Sequence, residues 1–307
     1  MARTLCITSL PTHRRSQVIV CSARQDILSA AHYLACKRAR HYKSSQPLYV
    51  DPYASALCNE QEVEPPLPGN AEEDDFDNLA TALLDTRLLE AVQLINMDLE
   101  QETRQVILLG CGLDTRPHRL PWPEGTVIFD VAPADAHAVA AAALKAADAH
   151  VPRACLLRRV VADYAARPSF QPALAAGGLR GDRLSVWALQ GLPAMGLERE
   201  GMRSILMEVA ELAAYSSVVV GELPRMTRSE AEDLLGEAGM LGMLQPESLS
   251  SSSSPDASRG GDARREDEQR WLFLARCQQR SSAERDIYSS HVAAMEEAGE
   301  DFFGNFS

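Results

Sequence analysis

The feature that most constrains this chain is an apolar run that ends abruptly in two glycines. Val106 to Leu109 is typical of a buried strand, and Gly110-Cys111-Gly112 follows directly. Glycine has no Cβ atom, so the backbone here can come close to a bound ligand. Asp130 lies twenty positions after Gly110, at the end of the next apolar run, where a carboxylate can accept hydrogen bonds from ribose hydroxyls. The pattern predicts a strand, a loop and a helix that turns its N-terminal N–H groups toward a nucleotide or nucleoside.

The residue after this loop narrows the class of ligand. The dinucleotide fingerprint requires a third small residue where this chain has Thr115, which disfavours a nicotinamide cofactor. A single nucleoside such as S-adenosylmethionine fits the shorter pattern better. Tyr33 and Lys37 have the Tyr-x-x-x-Lys spacing of short-chain reductases, but they precede the glycine loop, whereas reductases carry this pair after it. A nicotinamide oxidoreductase is therefore a disfavoured alternative.

Strand-like and helical segments alternate from Gln105 onward, which is typical of a parallel, doubly wound sheet. The predicted parallel strands are Val106–Leu109, Val127–Val131, Leu156–Val161, Leu184–Leu189 and Val218–Val220. The predicted helices between and after them are Arg116–Leu120, Asp135–Ala147, Glu200–Ala214 and Ser229–Ala238. Met240–Leu244 and Trp271–Ala275 are predicted as an antiparallel edge pair. We therefore expect a Rossmann-like α/β fold with a mostly parallel, seven-stranded sheet.

The region before the first strand is predicted to form an N-terminal helical cap. One helix runs from Asp26, a suitable N-cap residue, to about His41, and another runs from Asn78 to Leu99. The acidic, Pro-containing segment Glu60 to Asp77 has no apolar period and is predicted as a connector at the edge of the cap.

The longer run LLGCGLDTRPHRLPWP, residues 108–123, resembles the first motif of the leucine carboxyl methyltransferase family. Members of that family show Leu-Gly-x-Gly-x-Asp-Thr-Arg followed by Arg-Leu. Further similarity lies in the blocks Leu48–Ala54, Phe129–Val131, Val161–Tyr164 and Val186–Gly191. The resemblance extends from about Asp26 to Arg276. It implies a class I methyltransferase that uses S-adenosylmethionine and methylates a carboxylate or hydroxyl oxygen of a small molecule or a protein C-terminus.

The resemblance also implies which residues contact the methyl donor. Gly110 and Gly112 would flank its methionine part, with Asp114 at the cap of the next helix and Thr115 beside it. Asp130 would bind the ribose. The residues at two further family positions are Asp163 and Tyr164, near the adenine, and Gln190, after the fourth strand. For each of them a purely structural role in a turn, strand end or core is the alternative.

This chain departs from the family at three of the implied contact positions. Ala132 replaces the second acid of Phe-Glu-Val-Asp, and Gln190 replaces a Glu, which removes a negative charge beside the sulfonium. Ala82 replaces the Arg or Lys that pairs with the methionine carboxylate. Arg87 is a candidate substitute for that cation, although a solvated surface role is the favoured interpretation. Lys37 is a second candidate, for which a solvated helix end is the favoured interpretation.

Methyl transfer from a sulfonium is an in-line displacement, in which the enzyme mainly aligns the nucleophile, the methyl carbon and the leaving sulfur. An acceptor carboxylate is already ionised at neutral pH, so no proton-transfer residue is nominated and the catalytic residues are left open. The three departures make a second hypothesis necessary. In that hypothesis the chain is a methyltransferase fold that has lost turnover and has an interaction or regulatory role.

Composition limits the partners. A net charge of −13 argues against nucleic acid, and no apolar stretch is long enough to cross a membrane. The seven cysteines are scattered, without a Cys-x-x-Cys pair, and are predicted to be reduced thiols. The seven histidines form no dense ligand cluster, so no metal is expected. The oligomeric state is not predicted.

Residues 1–25 contain Arg3, Arg14, Arg15 and Arg24 but no acid, which is typical of an organelle transit peptide. We predict import into a chloroplast, with cytoplasm or mitochondrion as alternatives. The remaining predicted units are the helical cap at 26–100, the methyltransferase domain at 101–290 and a C-terminal tail at 291–307. Within the domain, 248–269 is rich in Ser, Asp, Glu, Arg and Gly and is predicted to be a disordered insertion.

Overall fold

The structure is a computed structural model that describes residues 12–59, 71–95, 103–110, 113–162, 169–247 and 268–292, with side chains from 27 and, in the second range, from 76. Its helices are α1 Thr12–Tyr42, α2 Ala54–Leu57, α3 Ala71–Ile95, α4 Arg116–Arg119, α5 Ala134–Ala146, α6 Gln171–Ala176, α7 Arg199–Leu212 and α8 Arg228–Glu237. A 3-10 turn covers Pro193–Met195, and residues 282–292 are helical as well. The strands are β1 Arg104–Gly110, β2 Thr126–Ala132, β3 Leu156–Val161, β4 Ser185–Gln190, β5 Val218–Met226, β6 Met240–Pro246 and β7 Gln269–Cys277.

The seven strands form one sheet in the order β3-β2-β1-β4-β5-β7-β6. Strands β1 to β5 run parallel, and β7 enters antiparallel between β5 and β6. The strand order reverses direction at β1, which separates β2 and β3 on one side from β4 and β5 on the other. The predicted mostly parallel, seven-stranded α/β sheet with an antiparallel edge pair is confirmed.

Helices cover both faces of the sheet, which explains the continuous apolar runs in its central strands. On one face α3 packs with Leu84, Leu88 and Val92 against Leu108 of β1 and its neighbours. On the other face α7 and α8 pack against the alternate residues of the same strands. The two cores leave the carboxyl edge of β1, β2, β4 and β5 next to α1 and α3.

Several helix boundaries differ from the prediction. Helix α1 begins at Thr12 rather than Asp26, because no Gly or Pro interrupts the chain between Pro11 and Tyr42. Helix α3 begins at Ala71, inside the predicted connector. The helix after the glycine loop, α4, has only four residues. The predicted insertion at 248–269 lies outside the described residues except for its last two positions, where Gln269 begins β7.

The prediction that all cysteines are reduced is wrong for two of them. Cys36 of α1 and Cys58, after α2, form a disulfide with Cα atoms 4.5 Å apart. Packing of α1 against α2 brings them together, and no sequence spacing signals such a pair. Cys155 and Cys277 are free. Across the described ranges no helix is long and apolar enough to span a bilayer, and no cluster of potential metal ligands occurs.

Candidate functional site

A cleft lies at the carboxyl edge of the parallel strands. Its floor, on the face of the sheet that packs against α3, consists of Leu108, Gly110, Asp130, Gln190, Gly191 and Glu222. Its wall, on α1 and α3, consists of Leu34, Lys37, Arg38, Asp77, Asn78 and Thr81. The segment after β1 adds Asp114, Arg116 and Arg119. The apolar rows of β1, β2, β4 and β5 thus end in glycine or polar residues at one place.

Arg116 connects the wall to the floor. Its Nε donates to Asp85 Oδ1 of α3 at 2.7 Å, its Nη1 donates to Asp114 Oδ2 at 2.9 Å, and its Nη2 donates to Gln190 Oε1. Burial raises the pKa of Asp114, but the charges of Arg116 and Arg38 outweigh it, and the pKa is lowered overall. Asp114 therefore presents an ionised carboxylate to the cleft at neutral pH.

Asp51 organises the other side of the segment after β1. Its fully buried carboxylate accepts a hydrogen bond from Thr115 Oγ1 at 2.7 Å and from Arg38 Nε at 3.2 Å. Arg119 Nε lies 3.6 Å from the same oxygen and donates to Thr115 Oγ1. The Thr115 side chain thus faces Asp51 and is not among the cleft residues, so its geometry supports a structural role.

Asp130 is buried in the floor of the cleft. It pairs with Leu108 of β1, two residues before the level of Gly110. Asp130 therefore lies two residues before the end of β2, whereas the sequence predicted it at the strand end. Burial, together with the charge of Asp114, raises the pKa of Asp130 to about 8. Burial lowers the pKa of His137, whose Nδ1 lies 3.6 Å from Asp130 Oδ2. At neutral pH this contact joins a mostly protonated acid to a neutral imidazole.

Gln190, which replaces a family Glu, has a partner at each end of its amide. Its Oε1 accepts from Arg116, and its Nε2 donates to Thr81 Oγ1 at 3.0 Å. The Thr81 hydroxyl in turn donates to the backbone oxygen of Asp77 at 2.9 Å. The amide therefore links β4 to α3 without adding a charge to the cleft.

Two cations of α1, Lys37 and Arg38, line the cleft, and Arg87 does not. Lys37 is 5% exposed, lines the cleft and binds Asp77 Oδ2 at 2.5 Å, so its interpretation as a solvated helix end is wrong. Arg38 lies beside it and donates to the Leu113 carbonyl at 2.6 Å. Arg87, the other candidate for the cation missing at Ala82, is 47% exposed and pairs with Glu90, as its interpretation as a solvated surface residue expects. The structure does not bring Arg87 to the cleft.

Sequence reasoning missed a group of three charged residues at the β5 end of the cleft. Glu222 is 3% exposed, and its Oε2 lies 3.2 Å from Arg270 Nη2. The same Nη2 lies 2.6 Å from Asp77 Oδ1, so one guanidinium serves two carboxylates. Burial raises the pKa of Glu222, and the charge of Asp77 adds to the rise although Arg270 opposes it. The signal in the sequence is an acid within the apolar run Val218 to Leu223.

The glycine loop is described only at its first residue. A Cβ atom on Gly110 would lie 2.4 Å from the backbone oxygen of Gln190, so the strand pairing itself requires glycine here. Gly112 lies outside the described residues, as do Asp163 and Tyr164. Their predicted contacts with the methyl donor therefore remain predictions.

The sheet order, the antiparallel β7 and the cleft at the carboxyl edge define a class I methyltransferase architecture. The model of the family described as "Leucine carboxyl methyltransferase" matches residues 31–210, and the chain belongs to that family. It is accordingly a methyltransferase that uses S-adenosylmethionine as methyl donor.

Two relatives and one solved structure extend this comparison. O-methyltransferase 1, chloroplastic, of Oryza sativa subsp. japonica is 29% identical over 297 residues, covering 91% of this chain and 79% of the relative. A Frankia alni protein that bears the name S-adenosyl-L-methionine-dependent methyltransferase is 30% identical over 207 residues, covering 66% of this chain and 69% of the relative. The magnesium protoporphyrin IX methyltransferase of Synechocystis has 12% identity and a TM-score of 0.39, covering 79% of this chain and 93% of that chain.

Proposed function

We propose that this protein transfers the methyl group of S-adenosylmethionine to an oxygen atom of a small molecule inside a plastid. The observation that carries the proposal is a single cleft lined by the buried carboxyl group of Asp130 and the buried ammonium of Lys37. The donor carries hydroxyls on its ribose and a carboxylate on its methionine part, and it requires protein groups of these two kinds.

The residues of the cleft fit the parts of the donor. Asp130 would bind the ribose, and Gly110 would let the methionine part approach the end of β1. Lys37 and Arg38 would take the role first proposed for Arg87 and bind the methionine carboxylate. Asp114 would accept hydrogen bonds from the methionine amino group, which it suits because it is ionised. Gly112, Asp163 and Tyr164 remain proposed contacts on the family resemblance.

The chemistry requires little from the protein beyond position. The donor supplies a methyl carbon bonded to a positively charged sulfur, and the acceptor oxygen must approach that carbon opposite the sulfur. The links from Arg116 to Asp85 and Gln190 hold the wall and floor at a defined separation, which orients the donor before the reaction.

Calorimetric titration of the purified protein with S-adenosylmethionine and S-adenosylhomocysteine tests the proposal. We expect binding in the micromolar range for both, and a Lys37→Met variant should bind both more weakly. The matched control is Lys43→Met, at the exposed end beyond α1, which should bind like the unmodified protein. Absence of heat up to millimolar ligand would contradict the proposal and favour a non-enzymatic scaffold.

The plastid location has two supports. The rice relative is named chloroplastic, and residues 1–25 have the composition of a transit peptide. Cleavage between Ser22 and Asp26 would leave intact the part of α1 that packs in the core, from Ile27 to Ala39. Mass spectrometry of the protein isolated from its cells should find an N-terminus in this range. An N-terminus at Met1 or Ala2 would refute cleavage.

A further inference from the structure

The β5 end of the cleft is built differently from the β2 end. The register pairs Gly110 with Gln190 and Leu189 with Gly221, so Gly110, Gln190 and Glu222 lie side by side on three adjacent strands. Neighbouring strands are about 4.8 Å apart, which places the Cα atoms of Gly110 and Glu222 about 10 Å from each other. If the nucleoside lies over β1 and β2, the space over β4 and β5 is left for the acceptor.

The charges at this end disfavour an anionic acceptor. Asp77 and Glu222 share Arg270, and the cations that line the cleft, Lys37, Arg38, Arg116 and Arg119, each contact a carboxylate of the protein. Over β5, Asp77 and Glu222 are balanced by Arg270 and Lys37, so an acceptor carboxylate would meet no excess of positive charge there. Lys37 and Arg38 are the groups assigned above to the methionine carboxylate of the donor. A neutral hydroxyl needs no cationic partner and can donate a hydrogen bond to Glu222.

We propose that Glu222 binds the hydroxyl group of the acceptor and takes its proton, so that the acceptor is a phenol or an alcohol. This inference rests on the proposed function. The acceptor oxygen forms a bond to the methyl carbon as the bond from that carbon to sulfur breaks. The electron pair of the broken bond stays on sulfur, which leaves as the neutral thioether of S-adenosylhomocysteine. The hydroxyl proton passes to a Glu222 carboxylate oxygen. The raised pKa of Glu222 makes its carboxylate a better proton acceptor than that of an ordinary Glu.

The test compares Glu222→Gln with the surface control Glu90→Gln, using the full-length protein and labelled S-adenosylmethionine. The acceptor probes are simple phenols and benzylic alcohols, each matched with the carboxylic acid that replaces its hydroxyl group. We expect the hydroxyl probes to be methylated and the acids not. Glu222→Gln should lower kcat roughly 10²- to 10⁴-fold and remove the dependence of the rate on a group with a raised pKa. Glu90→Gln should change neither.

Binding of S-adenosylhomocysteine separates the failure of this inference from failure of the proposed function. Both variants should bind it as tightly as the unmodified protein, which also shows that they are folded. Methylation of the acids, or an unchanged rate in Glu222→Gln, would overturn the role of Glu222. A protein that binds S-adenosylhomocysteine and methylates none of the hydroxyl probes would count against the acceptor class. A protein that does not bind it at all would overturn the proposed function instead.

Discussion

The floor and the wall of the cleft are held in place by different interactions. Backbone pairing positions the floor, because Gly110, Gln190 and Glu222 follow from the register of three parallel strands. Side-chain contacts hold the wall: α3 meets the floor through Asp85 and Arg116, and α1 is tied by the disulfide of Cys36. Single substitutions should therefore loosen the wall while the sheet stays paired.

The largest effect is expected from Arg116→Met, which removes the main tie between wall and floor. Asp114 would lose its ion-pair partner, whereas Asp85 would keep its ion pair with Arg119. Breaking a buried ion pair costs about 3–5 kcal/mol. Urea unfolding measures the loss. The control Arg87→Met removes an exposed ion pair with Glu90 and should cost less than about 0.5 kcal/mol. Equal losses in the two variants would contradict the assigned role of Arg116.

The next effect is expected from the disulfide that holds α1. It closes a loop with a sequence separation of 22, for which the chain-entropy relation gives about 3 kcal/mol of stability. Cys36→Ser and Cys58→Ser should each lower the free energy of unfolding by this amount under oxidising conditions. The double variant should lose no more than either single one, because both remove the same bond. Additive losses would show that the two thiols are not bonded in solution.

The same division explains how much the sequence could predict. The floor lies on strands whose apolar runs are readable, so these strands and the positions of Gly110 and Gln190 at their ends were predictable. The wall depends on contacts between residues far apart in the chain. Nothing in the sequence pairs Cys36 with Cys58, or shows that Lys37 turns inward to Asp77. Glu222 was missed for a different reason. An acid in an apolar run points to a buried site only when its spatial neighbours, here Arg270 and Asp77, are known.

A substitution in the floor should have a smaller effect than those in the wall. A Cβ at residue 110 would lie 2.4 Å from the backbone oxygen of Gln190, and such overpacking typically costs about 1–3 kcal/mol. Gly110→Ala should therefore lower stability as well as donor binding. The control is Gly236→Ala in α8, where a Cβ meets no atom within 4 Å and should stabilise the helix by about 0.5–1 kcal/mol. An unchanged stability in Gly110→Ala would mean that the strand ends can separate.

The smallest expected effect is a pH dependence of ligand binding that arises from Asp130 in the floor. The pKa of Asp130 is about 8 in the free protein, so about a tenth of the molecules carry the ionised form at pH 7. If the carboxylate accepts hydrogen bonds from both ribose hydroxyls, only this fraction is competent to bind. The affinity for S-adenosylhomocysteine should then rise about tenfold between pH 7 and 9 and release a proton on binding. Asp130→Asn should remove the rise, whereas Asp148→Asn, at an exposed turn, should keep it. An affinity that falls with pH would instead mean that the protonated acid donates to the ribose, and the neutral pair of Asp130 and His137 would be the form that binds.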